Sequence, residues 1–104
     1  MTVDKAVRAV KAVLGLPHGK CYFASEAIWH LAGGKKSGLA LMVHHDEAGS
    51  HWWLRTKAGK VIDVTAHQFD FKVPYRAGRK CGRPFPKRPG CLARDLIKAA
   101  SRHE

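Results

Sequence analysis

At 104 residues, with 45% hydrophobic side chains and nine aromatics, the chain has the material for one domain with a single modest core. Its net charge of +11 is lopsided: residues 72–104 hold ten Lys or Arg against Asp95 and Glu104, whereas residues 1–71 hold nine against six acidic residues. Charges at positions 4, 5, 8 and 11 break up the opening MTVDKAVRAVKAVLG, and nothing later resembles a membrane span, so a cytoplasmic protein with no membrane partner is expected. Three cysteines are an odd number for a reducing compartment and leave at least one free thiol.

In chain order, Val3, Val7, Val10 and Leu14 recur at helical spacing behind Thr2, a candidate N-cap, and Gly15 and Pro17 stop the helix. CYFASEAIWHL predicts a second helix with an apolar stripe of Phe23, Ala24, Ala27, Ile28 and Leu31, ended by Gly33 and Gly34. The apolar run from Leu39 to His44, followed by the turn-like DEAGS, reads as a buried strand. HWWLRTKAGKVIDVT then reads as two strands around a Gly-containing turn. HQFDFKVPY alternates Phe69, Phe71 and Val73 and predicts an extended or edge strand, and RAGRKCGRPFPKRPG predicts a basic loop. CLARDLIKAASR closes the chain as a helix with Leu92, Leu96, Ile97 and Ala100 on its apolar face. This order predicts a single α+β domain with a small antiparallel sheet packed against helices. Residues 1–71 would supply helices and hairpin, and 72–104 the basic loop and last helix.

A thiol at a helix start feels the positive end of the macrodipole, which favours thiolate, so Cys21 is the candidate nucleophile, with His18 and Lys20 beside it pushing the same way. A nucleophilic thiol needs a base, and the base needs an acceptor to orient it. Alternation puts His51, Trp53 and Arg55 on one face of their strand, and Val61, Asp63 and Thr65 on one face of theirs. Cross-strand pairing of His51 with Asp63 requires a connecting loop of odd length, three or five residues, centred on Lys57. An even loop would set Asp63 against Trp52. A carboxylate inside VIDV is costly without a partner, and His51 is the nearest candidate in sequence.

The order of Cys at a helix start, His then Trp on a strand, and Asp followed two residues later by Thr resembles the core of transglutaminase-like and papain-like cysteine enzymes. More closely, GKCYFASEAIWHLAGGK and HWWLRTKAGKVIDVTAHQF resemble the small YunG-type proteins of bacteria and related phage proteins over roughly residues 18–71. The resemblance implies a papain/transglutaminase-like core with a Cys21, His51, Asp63 triad. It adds Gln68 and Phe69 as matching positions of structural or substrate-side role, and Lys20 and Trp53 stand beside the triad as supporting positions. The expected activity is hydrolysis or acyl transfer on an amide or thioester of a peptide-like substrate.

A zinc site would have to draw on Cys21, His51 and one of His44 or His45, since adjacent strand residues face opposite ways. No CxxC or HxxxH spacing supports it, and no metal or other cofactor is expected. Cys81 and Cys91 are read as free thiols. Arg76, Arg79, Lys80, Arg83, Lys87 and Arg88 in the loop, with Arg94, Lys98 and Arg102 on one face of the last helix, form a footprint for an acidic partner, either nucleic acid or an acidic protein. The alternative to an enzyme is therefore a binding protein that uses this basic third, such as a phage-encoded inhibitor of a host nucleic-acid machine.

Overall fold

A computed structural model describes residues 1–15, 20–47, 49–66, 72–83 and 85–103. The elements run α1 (Val3–Val13), α2 (Cys21–Leu31), β1 (Ala40–Asp46), β2 (Gly49–Arg55), β3 (Val61–Ile62), β4 (Arg79–Lys80) and α3 (Cys91–His103), an α+β domain. Among these, no helix is long and apolar enough to cross a membrane.

Helix α1 starts where expected, because the Thr2 hydroxyl accepts the Lys5 N–H at 3.2 Å. Asp4 in its first turn and Lys11 in its last complement the helix dipole. Ala6, Ala9 and Val10 are its buried residues, while Val3 and Val7 pack partly covered at the edge of the core. Small residues also face inward from α3, whose Ala93 and Ala100 are fully buried, so α1 and α3 approach closely. Leu92 was expected on that inner face but is 53% exposed, because Ala93, one position on, turns to the core instead.

Helix α2 is the central element, with every residue from Ala24 to Trp29 buried between α1, α3 and the sheet. The sheet is antiparallel in the order β3-β2-β1-β4. β1 and β2 pair Leu41 with Leu54 and Met42 with Trp53. Leu41 and Leu54 share the helix-side core with Ala24, Ala27 and Ile28. Trp53, on the opposite face, is 1% exposed and is met edge-on by Tyr75, ring centroids 5.2 Å apart. The sheet is thus covered on both faces, by helices on one and by the segment after β3 on the other.

Three expectations change in detail. The basic loop contains β4, whose Arg79 and Lys80 pair with Val43 and Met42 along the free edge of β1. Of the strand expected within HQFDFKVPY, residues 67–71 lie outside the described residues, and Lys72–Pro74 are not in a strand but lead into a 3-10 turn at Tyr75–Ala77. β3 ends after two residues, so Asp63 stands just beyond the strand rather than inside it.

Candidate active site

The hairpin register decides whether His51 and Asp63 meet. Leu54 pairs with Ile62 and Arg55 with Val61, which leaves a loop of five residues, 56–60, centred on Ala58. The odd length keeps both side chains on one face, as required. The register is displaced from direct opposition, however, because continuing it would set Asp63 against Trp53. His51 and Asp63 are therefore diagonal neighbours, a separation that side chains of their length span.

They do span it: His51 Nε2 lies 2.6 Å from Asp63 Oδ2. Both side chains are almost fully buried. Asp63 accepts three further hydrogen bonds, from the Thr65 backbone N–H at 3.2 Å and hydroxyl at 3.1 Å on Oδ1, and from the Tyr75 hydroxyl at 2.8 Å on Oδ2. Asp63 thus caps its own turn through Thr65 and orients the imidazole at the same time. Burial alone would raise its pKa, but hydrogen bonds from His51 and Tyr75, the His51 charge and the Thr65 N–H hold the carboxyl below its usual range. Burial and the adjacent carboxylate push the Tyr75 hydroxyl far up, so it remains a proton donor.

Cys21 is the first residue of α2 and reaches the same imidazole. β2 pairs with β3 only at Leu54 and Arg55, so the edge of β2 near His51 is not covered by β3. The thiol lies near it, close enough to His51 and to the backbone of Trp52 and Tyr22 for each to favour its ionised form. With Nε2 held by Asp63, the solvent-shielded Nδ1 is the nitrogen left to face the thiol. Burial pushes the thiol pKa up, yet the His51 hydrogen bond and charge and the two backbone groups outweigh it, and the pKa is lowered. On His51, burial is outweighed in the other direction by Asp63 and Cys21, and its pKa rises to about 9. The two shifts run in the directions that favour thiolate beside imidazolium.

The neighbouring residues differ in what they do. Lys20 does not act on the thiol: its Nζ donates to the Leu14 carbonyl at 3.1 Å, tying the end of α1 to the start of α2. Trp53 is a support, stacked at a tilt against His51 with centroids 5.6 Å apart and too buried to meet a substrate. His18, Gln68, Phe69 and Phe71 lie outside the described residues. His45 turns to Ser50 on the face opposite His51, and among the described residues no three His, Cys, Asp or Glu side chains gather as a metal set. Cys81 is free and half-buried, and Cys91 is free and exposed. All nine basic residues named from the C-terminal third are exposed. Tyr75 and Gly78 were not foreseen, since nothing in PYRAG marks either as a neighbour of the hairpin.

Comparison with known protein families, curated sequences and solved structures finds no match.

Proposed function

We propose that the protein is a cysteine-dependent hydrolase or acyltransferase, with a core of the papain/transglutaminase type, acting in the cytoplasm on an amide or thioester. The observation that carries this reading is the convergence of Cys21 and His51 with an Asp63 whose two oxygens are both anchored. A merely structural histidine has no need of a thiol on one nitrogen and a doubly anchored carboxylate on the other.

In this reading the Cys21 thiolate attacks the carbonyl carbon, and the electron pair moves onto the carbonyl oxygen. As the tetrahedral intermediate collapses, the His51 imidazolium gives its Nδ1 proton to the departing amine or thiol, leaving an acyl thioester on Sγ. Neutral His51 then takes a proton from water, or from an acceptor nucleophile, which attacks the thioester. Collapse releases the acyl product and restores the thiolate–imidazolium pair. Asp63 remains ionised throughout and holds the imidazole in place.

The test is the rate of Cys21 alkylation by iodoacetamide against pH, together with hydrolysis of a panel of simple acyl thioesters. Alkylation should follow an apparent pKa well below the roughly 8.5 of a free thiol, and C21A should abolish both reactions with an unchanged melting temperature. An unreactive Cys21, or full turnover in C21A, would overturn the reading.

A further inference from the structure

A separate feature lies at the other end of α2, about 13 Å along the helix from Cys21 at its rise per residue. Three surface cavities adjoin one another there, of about 520, 360 and 680 Å³. The first and second share Gly38, Ala40 and Lys80, and the second and third share Trp29, Lys35 and Phe85. Six cations line the series in sequence: Arg55 and Lys57, then Lys80, then Lys35 and Arg83, then Lys87. No Asp or Glu is among the described lining residues.

The cations come from distant parts of the chain, and the fold brings them together. Arg55 ends β2, Lys57 sits in the following loop, Lys80 ends β4 and Lys35 follows α2. Gly38 is part of the reason, because a Cβ there would lie 2.7 Å from Lys57 Cε. At its φ of 73° glycine is the residue the backbone favours, and the lysine stem passes over it at the first cavity. Concentrating cations along a path without compensating carboxylates costs self-repulsion. A polyanion lying in the path would relieve it.

We propose that this path binds the sugar-phosphate backbone of single-stranded nucleic acid, a function beyond the thiol chemistry and independent of it. A chain with one charge per unit matches successive cations in a recessed track, whereas a duplex would bridge the rims. The rings of Trp29 and Phe85 are almost fully buried and leave little surface on which bases could stack, so binding should be indifferent to sequence. The track differs from the basic C-terminal third read from the sequence. It takes Lys80, Arg83 and Lys87 from that region, adds Lys35, Arg55 and Lys57, and leaves Arg94, Lys98 and Arg102 on α3 outside.

The test is fluorescence anisotropy of labelled oligo-dT and oligo-rA on the full chain between 50 and 200 mM salt. Six phosphate contacts on a single strand predict a slope of log affinity against log salt of roughly −4, or about a 250-fold loss over that range. K35E/K80E/R83E should lose about 100-fold or more, with K35Q/K80Q/R83Q intermediate in case charge reversal perturbs folding. R94E/K98E/R102E and C21A should bind like wild type, which separates this proposal from the thiol reading. The proposal is overturned if wild type does not bind, if the α3 variant loses as much as the track variant, or if duplex DNA or poly-glutamate binds equally well.

Discussion

Tyr75 and His51 converge on one oxygen of Asp63, at 2.8 and 2.6 Å, from opposite sides of the sequence. Tyr75 is not placed to touch a reacting atom, so it is a positioning residue that stabilises the ionised carboxylate. Y75F removes one donor, which should raise the Asp63 pKa and lower that of His51. Turnover of a thioester should fall about tenfold, at a stability cost of roughly 1 kcal/mol. The discriminating readout is the alkaline limb of the pH profile, set in wild type by His51 near 9, which should move toward neutrality. An unmoved limb would reduce Tyr75 to a packing residue.

Asp63 carries more weight, because it sets both the tautomer and the charge of His51. D63N keeps the shape but lets an amide donate to Nε2, which would put the proton on the wrong nitrogen. Turnover should drop on the order of 10²–10⁴-fold. The alkylation pKa of Cys21 should climb back toward that of a free thiol, since the imidazolium that lowers it is lost. Mass spectrometry of the alkylated protein across pH checks this, and a thiol still ionised as in wild type would show that His51 does not need Asp63.

The same couplings shape stability against pH. The folded-state pKa of His51 is raised, so its contribution is complete below its unfolded value of about 6.5 and is lost as pH rises through about 9. Asp63 is depressed, so its contribution is present above an unfolded value of about 3.9 and is lost as pH falls through its lower folded value. Cys21 is shifted the opposite way and offsets the His51 loss in the wild type, so it is in C21A that melting temperature should plateau between roughly pH 5 and 7 and decline on both sides. In C21A/H51Q the decline between about 7 and 9 should flatten. A variant that keeps that decline would assign it to other groups.

Much of this site was legible because its chemistry rests on local patterns. Alternation puts His51 and Trp53 on one face, the cost of a lone carboxylate demands a partner for Asp63, and the helix start at Cys21 follows from the apolar stripe behind it. Register was legible only as parity: the expected odd length holds, but the expected centre at Lys57 does not, because Thr56 and Lys60 close the turn around Ala58 through their backbone, Thr56 N–H to Lys60 O at 2.9 Å. Lys20 was misread because its charge was weighed against its sequence neighbour, while its long stem reaches the Leu14 carbonyl instead. Tyr75, twelve residues beyond Asp63, arrives by a tertiary path that no periodicity announces.

Gly78 offers the sharpest test of how the site is supported. Its φ of −72° is accessible to any residue, so the requirement for glycine is one of space alone. A Cβ at position 78 would lie 2.2 Å from Cζ2 and 2.4 Å from Cη2 of Trp53, inside any tolerable contact. Trp53 is fully buried and cannot swing into solvent, so relief must come from tilting its ring or lifting the segment from Tyr75 to Lys80. Either movement reaches the site, because Trp53 stacks on His51 and Tyr75 meets Trp53 edge-on. G78A should cost about 1–3 kcal/mol by overpacking, and at temperatures where the protein stays folded it should lower Cys21 alkylation at neutral pH. Trp fluorescence and thermal melting read the first effect, and the alkylation pH profile reads the second. A variant destabilised by this amount with an unchanged profile would show that Trp53 supports the fold without positioning His51.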